Sequence, residues 1–201
     1  MNYETLLQNI IHAANTHRWH NHQQLGGTHE TVAHHSTITA LLAHYLVNEC
    51  DLEQLTSTES RYAVLRACLI HDLGEYWVGD VPSPTKRTLG ISQQLDAIES
   101  KQRLNKLDLL DLALTIEQQC VVHLADCLAG SLHCWNQLHL GNTYARRPLE
   151  EYKKYILQYV AEQTVEASYE AFEVARMTHT RCTGLELVLR KAANFMEVLC
   201  P

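Results

Sequence analysis

An all-α fold is what this chain of 201 residues predicts, and three observations carry the prediction. Apolar residues recur at three- and four-residue spacing in one segment after another, as in Leu6, Leu7, Ile10, Ile11 and Ala14, or Ile38, Leu41, Leu42, Tyr45 and Leu46. No run alternates with period two for long enough to form a strand. Gly (8) and Pro (4) are scarce and cluster between the periodic segments rather than within them.

The elements follow in order. Residues 2–15 form a first amphipathic helix. Asn15 to Thr31 is polar, contains His17-Arg18-Trp19-His20 and Gly26-Gly27, and reads as a loop with a turn. A second helix covers 31–49, and its apolar face extends back to His34 or His35. Thr56-Ser57-Thr58-Glu59 is a capping box for a third helix, which runs through Tyr62, Leu65, Leu69 and Ile70 to about Val78, with Gly79 as its stop. Pro82 and Pro84 are expected to forbid helix in the next segment and hold it extended. A more polar fourth helix spans Ser92 to about Asn105. Residues 115–140 make the most apolar helix, with Asp126 in its middle and Gly141-Asn142 at its end. Pro148 suits the first turn of the next helix, where Leu149, Tyr152, Ile156, Tyr159 and Val160 form a stripe fit for self-association or for packing on its own core. A last helix covers about 184–198. There is no internal repeat and no low-complexity tract.

Length and composition place the chain, 1–201, in one domain with a sizeable core: 46% hydrophobic and 19% charged residues argue against disorder. A formal charge of -7 sets aside a nucleic-acid polymer as main partner, since that binding needs a basic surface. A small anionic ligand remains compatible with it if a metal or a local cationic group offsets the field. Seven cysteines without a Cys-x-x-Cys pattern predict reduced thiols, and Cys120, Cys127 and Cys134, spaced by seven, would line one helical face as small buried hydrophobes. The first residues carry no basic-then-apolar signal, and no run approaches the ~18 apolar residues of a membrane span. A soluble, cytoplasmic protein without membrane attachment is expected.

Four ionisable positions fall on apolar helical faces: His34 or His35, His71, Asp72 and Asp126. A vicinal His-Asp pair is costly to bury unless a metal or partner compensates it. Two imidazoles and two carboxylates make a competent set for a divalent ion such as Mn, Co, Zn or Fe. On a helix continuing to Val78, Glu75 would share the side of His71 and Asp72, where it can orient water or move a proton. Asp80 reads as a member of that polar network or as a turn residue. Lys86 and Arg18 read as anion-binding groups or as surface cations. Trp19 reads as a ligand wall or a core anchor, and His123 stands one turn before Asp126.

His…His-Asp…Asp on successive helices resembles the HD-domain metal-dependent phosphohydrolases. More narrowly, His71-Asp72-Leu-Gly-Glu75-Tyr-Trp-Val-Gly79-Asp80-Val-Pro82-Ser-Pro84-Thr-Lys86 is similar to the signature of the YfbR-type 5′-deoxynucleotidases. Arg18-Trp19, His35-Ser36 and Ala125-Asp126 match in order and approximate spacing. The resemblance covers roughly residues 15–135, and from Thr143 onward the chain matches only as generic helix. It implies an HD-domain helical bundle with a metal-site core at about 15–135, followed by C-terminal helices at about 146–199. It also implies a divalent cofactor (Co, Mn, Mg or Zn) held by His35, His71, Asp72 and Asp126. Glu75 and Asp80 would be catalytic, and Arg18, Trp19 and Lys86 would bind substrate. The implied reaction splits a 2′-deoxynucleoside 5′-monophosphate into deoxynucleoside and phosphate in a homo-oligomeric enzyme. Related HD proteins cleave deoxynucleoside triphosphates, some of them dATP-selective, and release tripolyphosphate. A regulatory nucleotide-binding module with a vestigial site is the reading from another class. One departure stands out. The family has Glu before its first ligand His and Ser, whereas this chain reads Ala33-His34-His35-Ser36; His35 is assigned by its place next to Ser36, with His34 as its rival.

Overall fold

The computed structural model describes residues 2–19, 25, 27–48, 55, 57–81, 83–178 and 183–200. In chain order they form α1 (Tyr3–Ala14), α2 (Val32–Val47), α3 (Thr58–Ile70), α4 (Glu75–Val78), α5 (Ser83–Leu89), α6 (Ser92–Leu107), α7 (Ile116–His139), α8 (Arg146–Thr178), entered through a 3₁₀ turn at Thr143–Ala145, and α9 (Thr183–Leu199). Extended pairing among the described residues is limited to one antiparallel bridge, His17 with Thr31. The all-α expectation holds. His20, Gly26, Cys50, Thr56, Pro82 and Cys182 lie outside the described residues. The chain divides into two compact units, residues 1–38 with 66–113 and residues 39–65 with 114–201.

In the first unit α6 packs against α1, α4 and α5, and α1 also touches α4. Its interior is unusually polar. Beside Ala13, Val32, Cys68, Ile70 and Leu107 it buries Glu30, His35, Ser36, Glu75, Glu99 and Arg103. Groups of this kind are tolerated inside only when partners compensate them. The buried line of α6 is Glu99, Arg103 and Leu107, at four-residue spacing.

Two expectations for this unit are corrected. The third helix does not reach Val78; α3 ends at Ile70, and His71–Gly74 is a turn leading into α4. In a continuous helix the His71 carbonyl would accept the amide of Glu75. Instead Arg103 Nη1 donates to that carbonyl at 2.7 Å, and the Glu75 amide donates to the Asp72 carbonyl at 3.0 Å. Gly74 makes the turn fit, since a Cβ there would stand 2.7 Å from the Glu99 carbonyl oxygen. Gly79, at φ 93°, ends α4 as expected. The second correction is α5, which is helical from Ser83 to Leu89 where two prolines suggested extension. Pro84 stands in its first turn, where a missing N–H costs no helical hydrogen bond and the fixed φ is already helical.

In the second unit α7, α8 and α9 pack on one another. Cys120, Val121, Leu124, Cys127, Leu128 and Cys134 are buried along α7, so the seven-residue cysteine spacing does mark a core face. Thr115 and Gln118 cap α7 reciprocally, and Gln118 Nε2 then reaches Ser60 Oγ at 2.8 Å. The cap of α3 falls at Ser57, whose Oγ accepts the Ser60 amide at 3.1 Å. The α8 stripe packs inside its own unit. Leu149 and Ile156 are buried, Tyr152 lies against Gly130, and Tyr155 and Tyr159 lie against His123. Tyr152, Tyr155, Tyr159 and Val160 remain half-buried along it. Among the described residues no helix is long and apolar enough to cross a membrane.

Candidate active site

His34 and His35 are neighbours on α2, yet their surroundings differ sharply. The His34 side chain is 64% exposed, whereas His35 is fully buried. His35 turns inward to His71, with ring centroids 5.4 Å apart. The ligand atoms of His35, His71 and Asp72 all lie within 4.8 Å of one another.

His71 Nδ1 lies 2.8 Å from the Cys68 carbonyl. A carbonyl only accepts, so Nδ1 must carry the proton and donate it, which leaves the Nε2 lone pair on the opposite side of the ring. Nε2 is 3.2 Å from Asp72 Oδ2, and His35 Nε2 is 3.6 Å from the same oxygen. Ligands ~2.1 Å from a shared centre are separated by about 3–3.5 Å, so this donor set fits a divalent ion. Asp126 is half-buried in the middle of α7, in the second unit.

Arg18 and Trp19 follow α1 in the chain, and Arg18 reaches the turn that carries Asp72. Arg18 Nη1 donates to Asp72 Oδ2, and its Nε stands 3.6 Å from Glu30 Oε2. Trp19 has φ 66°, a left-handed backbone that bulky residues adopt only when their surroundings impose it. Two carboxylates do so here. Asp80 Oδ2 accepts the Trp19 amide at 2.9 Å, and Glu30 Oε2 accepts the indole Nε1–H at 2.6 Å.

Glu75 opens α4 and is 5% exposed, and its Oε2 has no hydrogen-bond partner among the described residues. Burial pushes its carboxyl up to about 8; Asp80 and Glu99 push the same way, while Arg18 and Lys86 oppose them. Lys86, on α5, sits 3.3 Å from Glu99 Oε1. His123 instead meets the tyrosines of α8 in the second unit, with Nε2 2.9 Å from Tyr155 Oη.

Three buried groups near these residues were not singled out from the sequence: Glu30, Glu99 and Arg103. Glu99 and Arg103 carried a signal, since they fall four residues apart on the line from Leu95 to Leu107. Arg103 also grips Asp111 through Nε (3.1 Å) and Nη2 (2.7 Å). Burial works to raise the Asp111 carboxyl, but the Arg103 and Ser100 hydrogen bonds outweigh it and hold the group below its usual value.

Comparison with known proteins gives a consistent set of likenesses. A family profile described as 5′-deoxynucleotidase YfbR-like matches residues 5–175. Among curated proteins, the 5′-deoxynucleotidase YfbR of Salmonella arizonae is 31% identical over 127 residues. The proteins of the same name from Salmonella paratyphi B and Salmonella newport are each 33% identical over 130 residues. Each match covers 56% of this chain and 63% of the relative, so it spans less than two thirds of the relatives' own length. No solved structure matches the chain.

Proposed function

Because this chain belongs to the YfbR-like 5′-deoxynucleotidase family, we propose that it is a divalent-metal-dependent phosphohydrolase that splits 2′-deoxynucleoside 5′-monophosphates into deoxynucleoside and phosphate. The observation that carries this reading is the meeting of the His35, His71 and Asp72 donor atoms, with the buried carboxyl of Glu75 three residues past Asp72 in the chain. We assign His35, His71 and Asp72 as metal ligands, with Asp126 as the fourth, for Co, Mn, Mg or Zn. When bound, such an ion offsets phosphoryl charge and makes water a better nucleophile.

The protein's own groups do the rest. Glu75 holds a proton near neutrality and gives it to the 5′ oxygen as the P–O bond breaks; the resulting carboxylate takes a proton from the attacking water. Phosphate and deoxynucleoside are the products, and Glu75 is left protonated as it began. Arg18 offers a fork and Lys86 a point charge to the phosphate. Trp19 walls the sugar, where a 2′-hydroxyl would clash, and Asp80 holds its backbone within reach of the sugar hydroxyls. The reading extends to one HD-type catalytic domain acting in the cytoplasm as a homo-oligomer. Supporting it are the free thiols among the described residues and an exposed α1 face of Tyr3, Leu7, Ile10 and Ile11.

The test incubates the purified protein with each dNMP and dNTP in Mn, Co or Mg, separates products by chromatography, and measures metal uptake by calorimetry. Phosphate from dNMPs is expected. Tripolyphosphate from dNTPs would replace the reading with a triphosphohydrolase, and binding without turnover would point to a regulatory module. His35→Ala and Asp72→Ala are expected to weaken metal uptake at least ~100-fold, while His34→Ala leaves it intact.

A further inference from the structure

We propose that Glu30 is the positioning residue of the substrate wall: it locks Arg18 and Trp19 in register and thereby sets how tightly the deoxynucleotide is held. This assignment rests on the deoxynucleotidase reading above and adds to it a residue outside the ligand set and the proton-handling group.

The geometry is specific to Glu30. It is 4% exposed although it lies in the loop just ahead of α2. Its carbonyl accepts the Arg18 amide at 2.9 Å, next to the His17–Thr31 bridge, so the two segments are pinned at the backbone. One side-chain oxygen, Oε2, then serves both neighbours, the indole Nε1–H of Trp19 at 2.6 Å and the Arg18 guanidinium at 3.6 Å. Arg18 offsets the buried charge of Glu30 at Oε2, while His34 Nδ1 stands 3.8 Å from the other oxygen, Oε1. The far end of that guanidinium bonds Asp72, so Glu30 and Asp72 stretch Arg18 between them. Trp19 is likewise held at two points, by Asp80 at the backbone and by Glu30 at the ring tip. Without Glu30 the ring keeps its backbone anchor and loses its orientation. The penalty then falls on binding the substrate rather than on breaking its bond.

The experiment compares Glu30→Gln and Glu30→Ala with the wild type by steady-state kinetics on dNMPs and by near-ultraviolet circular dichroism. The Trp19 band is assigned by difference against Trp19→Phe. Glu30→Ala is expected to raise KM about 10- to 100-fold, with kcat within about threefold, and to abolish the Trp19 band. Glu30→Gln keeps an acceptor for the indole but no charge for Arg18. It should therefore retain the band with an intermediate KM, which also covers the case in which the Ala variant does not fold. Wild-type KM with the band intact in both variants overturns the proposal, as does a fall in kcat at unchanged KM. A wild type that turns over no deoxynucleotide defeats the functional reading instead. In that case loss of the band in Glu30→Ala still upholds the hold of Glu30 on Trp19, and its retention overturns it.

Discussion

Glu75 keeps its proton at neutral pH because burial denies its carboxylate water, and the sign of the consequence is definite. A carboxyl near 4.5 when unfolded and about 8 when folded binds its proton more tightly in the fold. Its contribution to stability is full below about pH 4.5 and is lost as pH climbs toward about 8. For metal-free protein in EDTA, Glu75→Gln should flatten the fall in Tm between about pH 5 and 8. The effect is on the order of a few kcal/mol at the alkaline end, from ~1.4 kcal/mol per unit. Parallel Tm curves for the two proteins would show that burial of Glu75 does not govern the effect. The same substitution should cut turnover ~10²- to 10⁴-fold and leave metal uptake unchanged. At this scale the sequence was legible where residue types are rare on an apolar face, as at His71 and Asp72. It was silent on Glu30, whose importance comes from loop segments that meet only once folded.

The elements were legible wherever local periodicity and local chemistry agree, as in α6 and α7. They were misread where a distant group overrides them. Nothing within the third-helix pattern shows that Arg103, some thirty residues on, takes the His71 carbonyl and breaks the helix. Gly74 is the other half of that break. Gly74→Ala would force a Cβ to within 3 Å of the Glu99 backbone, which cannot yield as a flexible side-chain tip can. The substitution should cost about 1–3 kcal/mol in urea unfolding. It should also lower metal affinity, because the turn that carries His71 and Asp72 must shift. An unchanged unfolding midpoint would mean that α6 gives way freely. The helix at α5 was misread for a different reason: a proline forbids a helix only from within, and Pro84 stands at its start.

At the scale of the molecule the two units divide the physical work. The first sets buried polar and ionisable groups among its apolar side chains, and the second is filled with side chains such as Leu124, Leu128, Ile156, Leu189 and Met196. The second unit is therefore the one whose stability should follow apolar volume. Leu128→Ala, fully buried on α7, should lower unfolding free energy by about 2–5 kcal/mol, measured by urea denaturation. A loss below about 1 kcal/mol would mean that this core collapses around the gap. Composition was enough to foresee such a core, but not a second interior built from carboxylates, imidazoles and guanidinium groups. Its members are scattered from Glu30 to Arg103, and each looks like a surface residue until its partner is known.

The buried thiols turn this division of interiors into a clock. Cys120 is 1% exposed and burial holds its thiol at about 11, so at neutral pH it is both unreachable and unreactive. Cys127 and Cys134 share its helix, and Cys68 lies in the other interior. An alkylating reagent can therefore mark Cys120 only during moments when the second unit opens, and Cys68 only when the first does. The chain carries its own timers for the two interiors, read by peptide mass rather than by an attached probe.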